Sequence, residues 1–99
     1  MVNMTIGEFH NQEISYSRLC NKERNAELKS LKSAILGMSL EDRNNKIHLT
    51  VSVGYNPKQI KNGGIEYKDD VVYRFDFNYS TPVAVVTDTI YNKAIIDMQ

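Results

Sequence analysis

The chain has 99 residues and a mass of 11.4 kDa, which suits one domain built around one core. Twelve Lys and Arg balance twelve Asp and Glu, and zero net charge argues against a partner held by polybasic contacts to phosphate. No apolar run approaches the roughly 20 residues that cross a bilayer.

Further expectations follow from composition. The start, Met1 to Glu8, lacks the basic residues and apolar stretch of a secretory signal. Cys20 is the single cysteine and cannot close an internal disulfide, which fits a reducing compartment. A cytoplasmic protein of one domain, residues 1–99, is therefore expected. Phe, Tyr, Met, Ile, Asn and Lys far outnumber Gly, Ala, Arg and Pro. That bias points to an AT-rich genome, such as a low-GC bacterium, a phage or a mobile element.

In chain order, Val2, Met4 and Ile6 alternate, as do Ile14 and Tyr16, around His10-Asn11-Gln12. This pattern predicts an N-terminal hairpin. Thr5 followed by Glu8 also fits a capping box that would open a helix, but no apolar stripe continues past Phe9. The spacing of Leu28, Leu31, Ile35 and Met38, with Ala34 beside them, predicts the main helix over residues 25–38. Asn25 serves as its N-cap, with Asn21 as an alternative one turn earlier. Gly37 and Ser39 mark its end.

From Lys46 the period becomes two. Ile47, Leu49, Val51, Val53 and Tyr55 alternate with His48, Thr50 and Ser52 and predict a half-buried strand. Val71, Tyr73, Phe75, Phe77 and Tyr79 predict a second, starting near Ile65 with a bulge or break at Lys68-Asp69-Asp70. β-Branched residues from Val83 to Ile90 predict a third strand, and Ala94-Ile95-Ile96 a last one. The fold class is α+β, one main helix packed on an antiparallel sheet. Leu31 and Ile35 are expected to pack on Leu49, Val51, Phe75 and Phe77. Val72, Ala84, Val86 and Ile90 are expected on the solvent face, where they favour a homodimer through this face or an edge strand.

Chemistry-bearing motifs are scarce. His48, Thr50 and Ser52 share a face with Arg74, Asp76 and Asn78, but solvated sheet faces carry such residues routinely and no motif fixes a catalytic geometry. Cys20 with His10 or His48 lacks the surroundings of a cysteine enzyme. Two distant histidines and one cysteine fail the spacing test for a metal, and Asp69-Asp70 lacks an EF-hand loop. Gly63-Gly64 precedes a strand, which suits a turn rather than a phosphate loop. Lys58, Lys61 and Lys68 near Tyr55 and Tyr67 could support base stacking, yet Glu66, Asp69 and Asp70 cancel the local field.

The expected function is a small non-catalytic protein that binds another macromolecule, with a protein as the expected partner, an accessory or inhibitory factor of a phage or mobile element, without cofactor or metal. Single-stranded nucleic-acid binding and a small enzyme using the polar face are the alternatives. Asn56-Pro57 and Asn62-Gly63-Gly64 bracket a segment expected to be a mobile loop, residues 56–70. Lys58, Ile60, Lys61 and Tyr67 are the expected partner contacts there, joined by Arg74 and Asp76 on the polar face.

Overall fold

The computed structural model describes residues 4–13 and 15–99, with the side chain of Ser17 left aside. Val2 and Ile14, two residues of the expected hairpin, lie outside the described residues. Where the rest of that hairpin was expected, the chain forms helix α1, Ile6–Asn11. The capping box decides it. Thr5 Oγ1 accepts the Glu8 N–H at 3.2 Å, and Glu8 Oε1 accepts the Thr5 N–H at 3.4 Å. Ile6 and Phe9 then point the same way and are buried. The segment is fastened to the chain ahead of the last helix, with Ile6 N donating to Thr81 O at 2.8 Å and Gly7 N to Tyr79 O at 3.0 Å.

A 3-10 turn, Tyr16–Leu19, leads into helix α2, Lys22–Ser30. Its N-cap is Asn21, not Asn25: Asn21 Oδ1 accepts from Glu23 N at 2.9 Å and Arg24 N at 3.3 Å. The helix expected over 25–38 stops after its first half, where Lys32 takes a φ of 57°. Its second half is strand β1, Ser33–Arg43. Asn44 and Asn45, with φ of 55° and 60°, form the two-residue turn into β2, Lys46–Gln59. Two consecutive positive φ angles match the right-handed twist of a hairpin, and asparagine tolerates them. Strand β3, Ile65–Phe77, completes an antiparallel sheet of order β1-β2-β3. No break occurs at Lys68-Asp69-Asp70, because Tyr55 pairs with Asp69 and Gly54 with Asp70. The local irregularity sits across the ladder at Asn56, with a φ of 59°.

The largest correction concerns residues 83–96. They form one helix, α3, Val83–Met98, rather than two strands. Val83, Val86, Thr87, Ile90, Tyr91, Ala94 and Ile95 are all buried, a stripe at spacings of three, one, three, one, three and one. That stripe covers the sheet face formed by Ile47, Leu49, Val51, Val53 and Tyr73, with Phe9, Leu19 and Leu28 closing its margins. The fold is thus α+β, and the main helix on the antiparallel sheet is α3. Leu49 and Val51 are fully buried as expected, and Leu31, Ile35, Phe75 and Phe77 pack partly buried against the same core. Ile35, however, reaches it from a strand.

Candidate binding surface

Even-numbered residues of β2 face away from α3. In register across the ladder, His48 pairs with Asp76, Thr50 with Arg74, and Ser52 with Val72. The expected convergence of polar residues on this open face therefore occurs, except for Asn78, which lies past β3 and whose carbonyl accepts the Thr81 N–H at 3.0 Å. His48 Nδ1 pairs with the Asp76 carboxylate, and Nε2 donates to the Arg43 carbonyl at 2.9 Å. Both ring nitrogens thus face acceptors. A general base needs one nitrogen turned to a nucleophile, and in this geometry neither is.

The middle of the open face is apolar. Leu36 is an inserted residue: β1 pairs Ile35 with Val53 and then Gly37 with Ser52, leaving Leu36 in a bulge. It is 47 % exposed, and Val72 is 41 % exposed. Gly54 allows Leu36 and Tyr67 to approach closely, for a Cβ at that position would stand 2.8 Å from Leu36 Cδ1 and from Tyr67 Cβ and Cγ. Gly54→Ala is expected to destabilise the protein by about 1–3 kcal/mol through overpacking, seen as a lowered urea midpoint. An unchanged midpoint would show that Leu36 and Tyr67 can part freely.

The segment expected to be a loop is an arm. Past Tyr55, the partner of Ser33, β2 and β3 continue as a two-stranded ribbon without β1 beside them. Its rungs are Pro57 with Tyr67, Lys58 with Glu66, and Gln59 with Ile65. Proline does not end the strand, because on a ribbon with an unpaired edge its missing N–H can face solvent. At the tip Ile60 N donates to Gly64 O at 3.1 Å, and Gly63 takes a φ of 77°. Fourteen residues at about 3.3 Å each give β2 a length of about 46 Å, close to the 43 Å long axis of the molecule. One strand spans the whole protein, with the arm at one end.

The six expected contacts consequently fall into separate groups. Lys58, Ile60 and Lys61 gather at the arm's end, and all three are exposed. Tyr67 packs over Gly54 at its base. Arg74 and Asp76 lie with His48 and Thr50 farther along the open face, nine residues or about 30 Å of strand from Tyr67 in the case of Asp76. Tyr55 and Tyr67 do not form one platform, since Tyr55 lines a cavity on the side covered by α3. Exposed Leu36 was hidden by the helical spacing around it. Ala84, Val86 and Ile90 are not on the solvent face of a sheet: they belong to α3, where Val86 and Ile90 are fully buried. Val72 alone of that set stands on the open face.

Cys20 is half-buried, its Sγ 4.0 Å from the Tyr16 carbonyl oxygen. Among the described residues, no three His, Cys, Asp or Glu side chains cluster as a metal set, and no helix is long and apolar enough to cross a membrane. Comparison with known proteins finds no match, whether among protein-family models, curated proteins or solved structures.

Proposed function

We propose that the protein is a small non-catalytic binding protein that engages a protein partner through the tip of the β2–β3 arm, with the open sheet face as a second contact. The observation that carries this reading is the ribbon beyond Tyr55, where Ile60 and Ile65 stand 40 % and 64 % exposed among lysines. Exposed apolar side chains on a projecting, hydrogen-bonded support are what a binding element offers. Pro57, Lys58 and Lys61 blunt the ribbon's edges against indiscriminate strand pairing, so recognition runs through side chains. Glu66, Asp69 and Asp70 on the returning strand offset the lysines, which favours a mixed-charge protein surface over a phosphate backbone. Together with the bias toward amino acids that AT-rich codons encode, this reading suits an accessory or inhibitory factor of a phage or mobile element.

The test replaces Lys58, Ile60 and Lys61 together by alanine and compares capture of host proteins by the variant and by the wild type. A specific partner retained by the wild type should be lost from the variant, while its thermal midpoint stays unchanged. Equal retention by both would remove the arm as the contact. Arg74→Ala reports separately on the open face, and light scattering of the wild type at high micromolar concentration tests self-association there.

A further inference from the structure

Strand β3 lies at an edge of the sheet. Among the described residues, α2 and the 3-10 turn lie against β1 at the other edge, whereas β3 has β2 as its strand partner and no comparable neighbour beyond it. Its free edge runs the 13 residues from Ile65 to Phe77, and none of them takes a positive φ. A long regular edge leaves a row of backbone N–H and C=O groups open to another strand, and charges commonly guard it. Here the charges are ordered. Counting by twos from Val72, Asp70 and Arg74 stand one step away on either side, and Lys68 and Asp76 two steps away. The sign reverses about Val72, each acid being matched by a base at the same distance beyond it. All four charged side chains are exposed, and Val72 is 41 % exposed between them. Asp70 and Arg74 have no ion-pair partner among the described residues. Gly54 and Thr50, which face them across the ladder, carry no charge.

We propose that β3 pairs antiparallel with β3 of a second copy of this chain, about a two-fold axis at Val72. Such a pair sets each residue opposite the one equally far beyond the axis. Asp70 of each copy then faces Arg74 of the other, Lys68 faces Asp76, and Val72 faces itself. Opposite charges directly across an antiparallel pair stabilise it, and like charges do the reverse. Moving the axis by one residue ruins the match. At Val71 it would set Lys68 against Arg74 and Glu66 against Asp76, and at Tyr73 it would set Asp70 against Asp76. On the other face, Val71 meets Tyr73, a favourable β-branched and aromatic pair. Asp69 falls opposite Phe75 but keeps its bond from Asn56 Nδ2 at 2.8 Å. The ladder supplies roughly ten backbone hydrogen bonds, as many as a typical protein interface holds. The joined sheet has six strands, an ordinary size. A strand spacing of about 4.8 Å sets the two β2 strands about 14 Å apart, room for two α3 helices of about 10–12 Å side by side. Both arm tips stay free, at opposite ends, so this contact is independent of the one proposed for the arm. Edge charges that repel an arbitrary strand thus admit a copy of their own.

Sedimentation equilibrium of the full chain at high micromolar concentration should give twice the 11.4 kDa mass. Asp70→Arg and Arg74→Asp, both at exposed positions, each set like charges across the axis twice per dimer. Either should raise the dissociation constant at least about tenfold. The double variant exchanges the charges and should recover most of the affinity. The axis is tested by Val72→Cys in a Cys20→Ser background, which should oxidise to a linked dimer. Residues directly opposite have Cα atoms about 4.5–5.5 Å apart, within disulfide reach. Ser52→Cys, on the same face one strand inward, should not link, because its two copies stand about 14 Å apart. A monomer throughout, a dimer indifferent to the charge reversals, or a double variant no tighter than the single ones would overturn the proposal. So would Ser52→Cys linking as readily as Val72→Cys, which would mean that copies meet face to face.

Discussion

Ile90→Ala is expected to cost about 2–5 kcal/mol of folding stability, whereas Ile96→Ala should stay within about 0.5 kcal/mol of the wild type. Ile90 is fully buried midway along α3, and Ile96 is 68 % exposed on the same helix. The pair separates the two secondary structures that this segment could adopt. As two strands, the segment would leave Ile90 on the solvent face, where its truncation would also cost little. A helix turns about 100° per residue, which carries Ile96 to the far side from Ile90. Urea denaturation of the two variants measures the difference directly. Similar losses at both positions would mean that 83–98 does not pack on the sheet as a helix. A loss at Ile90 near the top of its range would be a large share of the ~5–15 kcal/mol that holds a domain together.

The two helix–strand exchanges have definite physical causes. Residues 83–90 are rich in valine, threonine and isoleucine, whose β-branching favours strands. Burial of a whole helical stripe outweighs that weak preference. The stripe from Val83 to Ile95 was present in the sequence, since a period of 3.6 fits those positions over three turns. Local β propensity masked it. At β1 the misdirection came from the bulge. A strand places core residues two apart, but the inserted Leu36 stretches Ile35 to Met38 into a spacing of three. Following Leu28 and Leu31, that spacing imitates a helix. One added residue thus made a strand read as the end of α2.

By contrast, β2 and β3 were legible over residues 47–53 and 71–77, where both alternate without interruption and one face of each is buried. That His48 and Asp76 share a face and that Val72 is exposed follow from parity; that the two residues stand opposite each other is set by the register. What parity could not supply was extent. Asn56 and Pro57 signal a strand end when a third strand is assumed alongside, yet here β1 stops opposite Tyr55 and the constraint lapses. The arm depends on how far a neighbouring strand reaches, a tertiary property with no local signature. The cavity that Tyr55 lines was equally hidden, because it needs α3 as a helix ending near Lys32.

Tyr91 joins the core to the start of α2, and two variants should separate its contributions. Tyr91→Ala is expected to cost about 3–5 kcal/mol, as for other large buried aromatics, because the ring is fully buried. Tyr91→Phe should cost only about 1 kcal/mol, the net worth of a hydroxyl bonded at both ends. That hydroxyl accepts the Asn21 N–H at 3.2 Å and donates to Asn25 Oδ1 at 2.6 Å, so it holds the first turn of α2 against α3. Burial pushes the Tyr91 phenol from 10.0 to about 12, with Cys20 adding to the rise and the Asn21 N–H opposing it. A folded pKa above the unfolded one means that folding favours the neutral phenol. The resulting stabilisation is complete below pH 10 and is lost as pH rises through about 12. Tyr73 acts in the same sense over the same window. The wild type should therefore lose urea resistance steadily across that alkaline range. Tyr91→Phe should start lower and fall less steeply, retaining the contributions of Tyr73 and of Tyr79, whose phenol is raised by its hydrogen bond to Asp42. Parallel declines in the two proteins would show that the Tyr91 phenol ionises as freely in the fold as in the unfolded chain, and would release α2 from its anchor on α3.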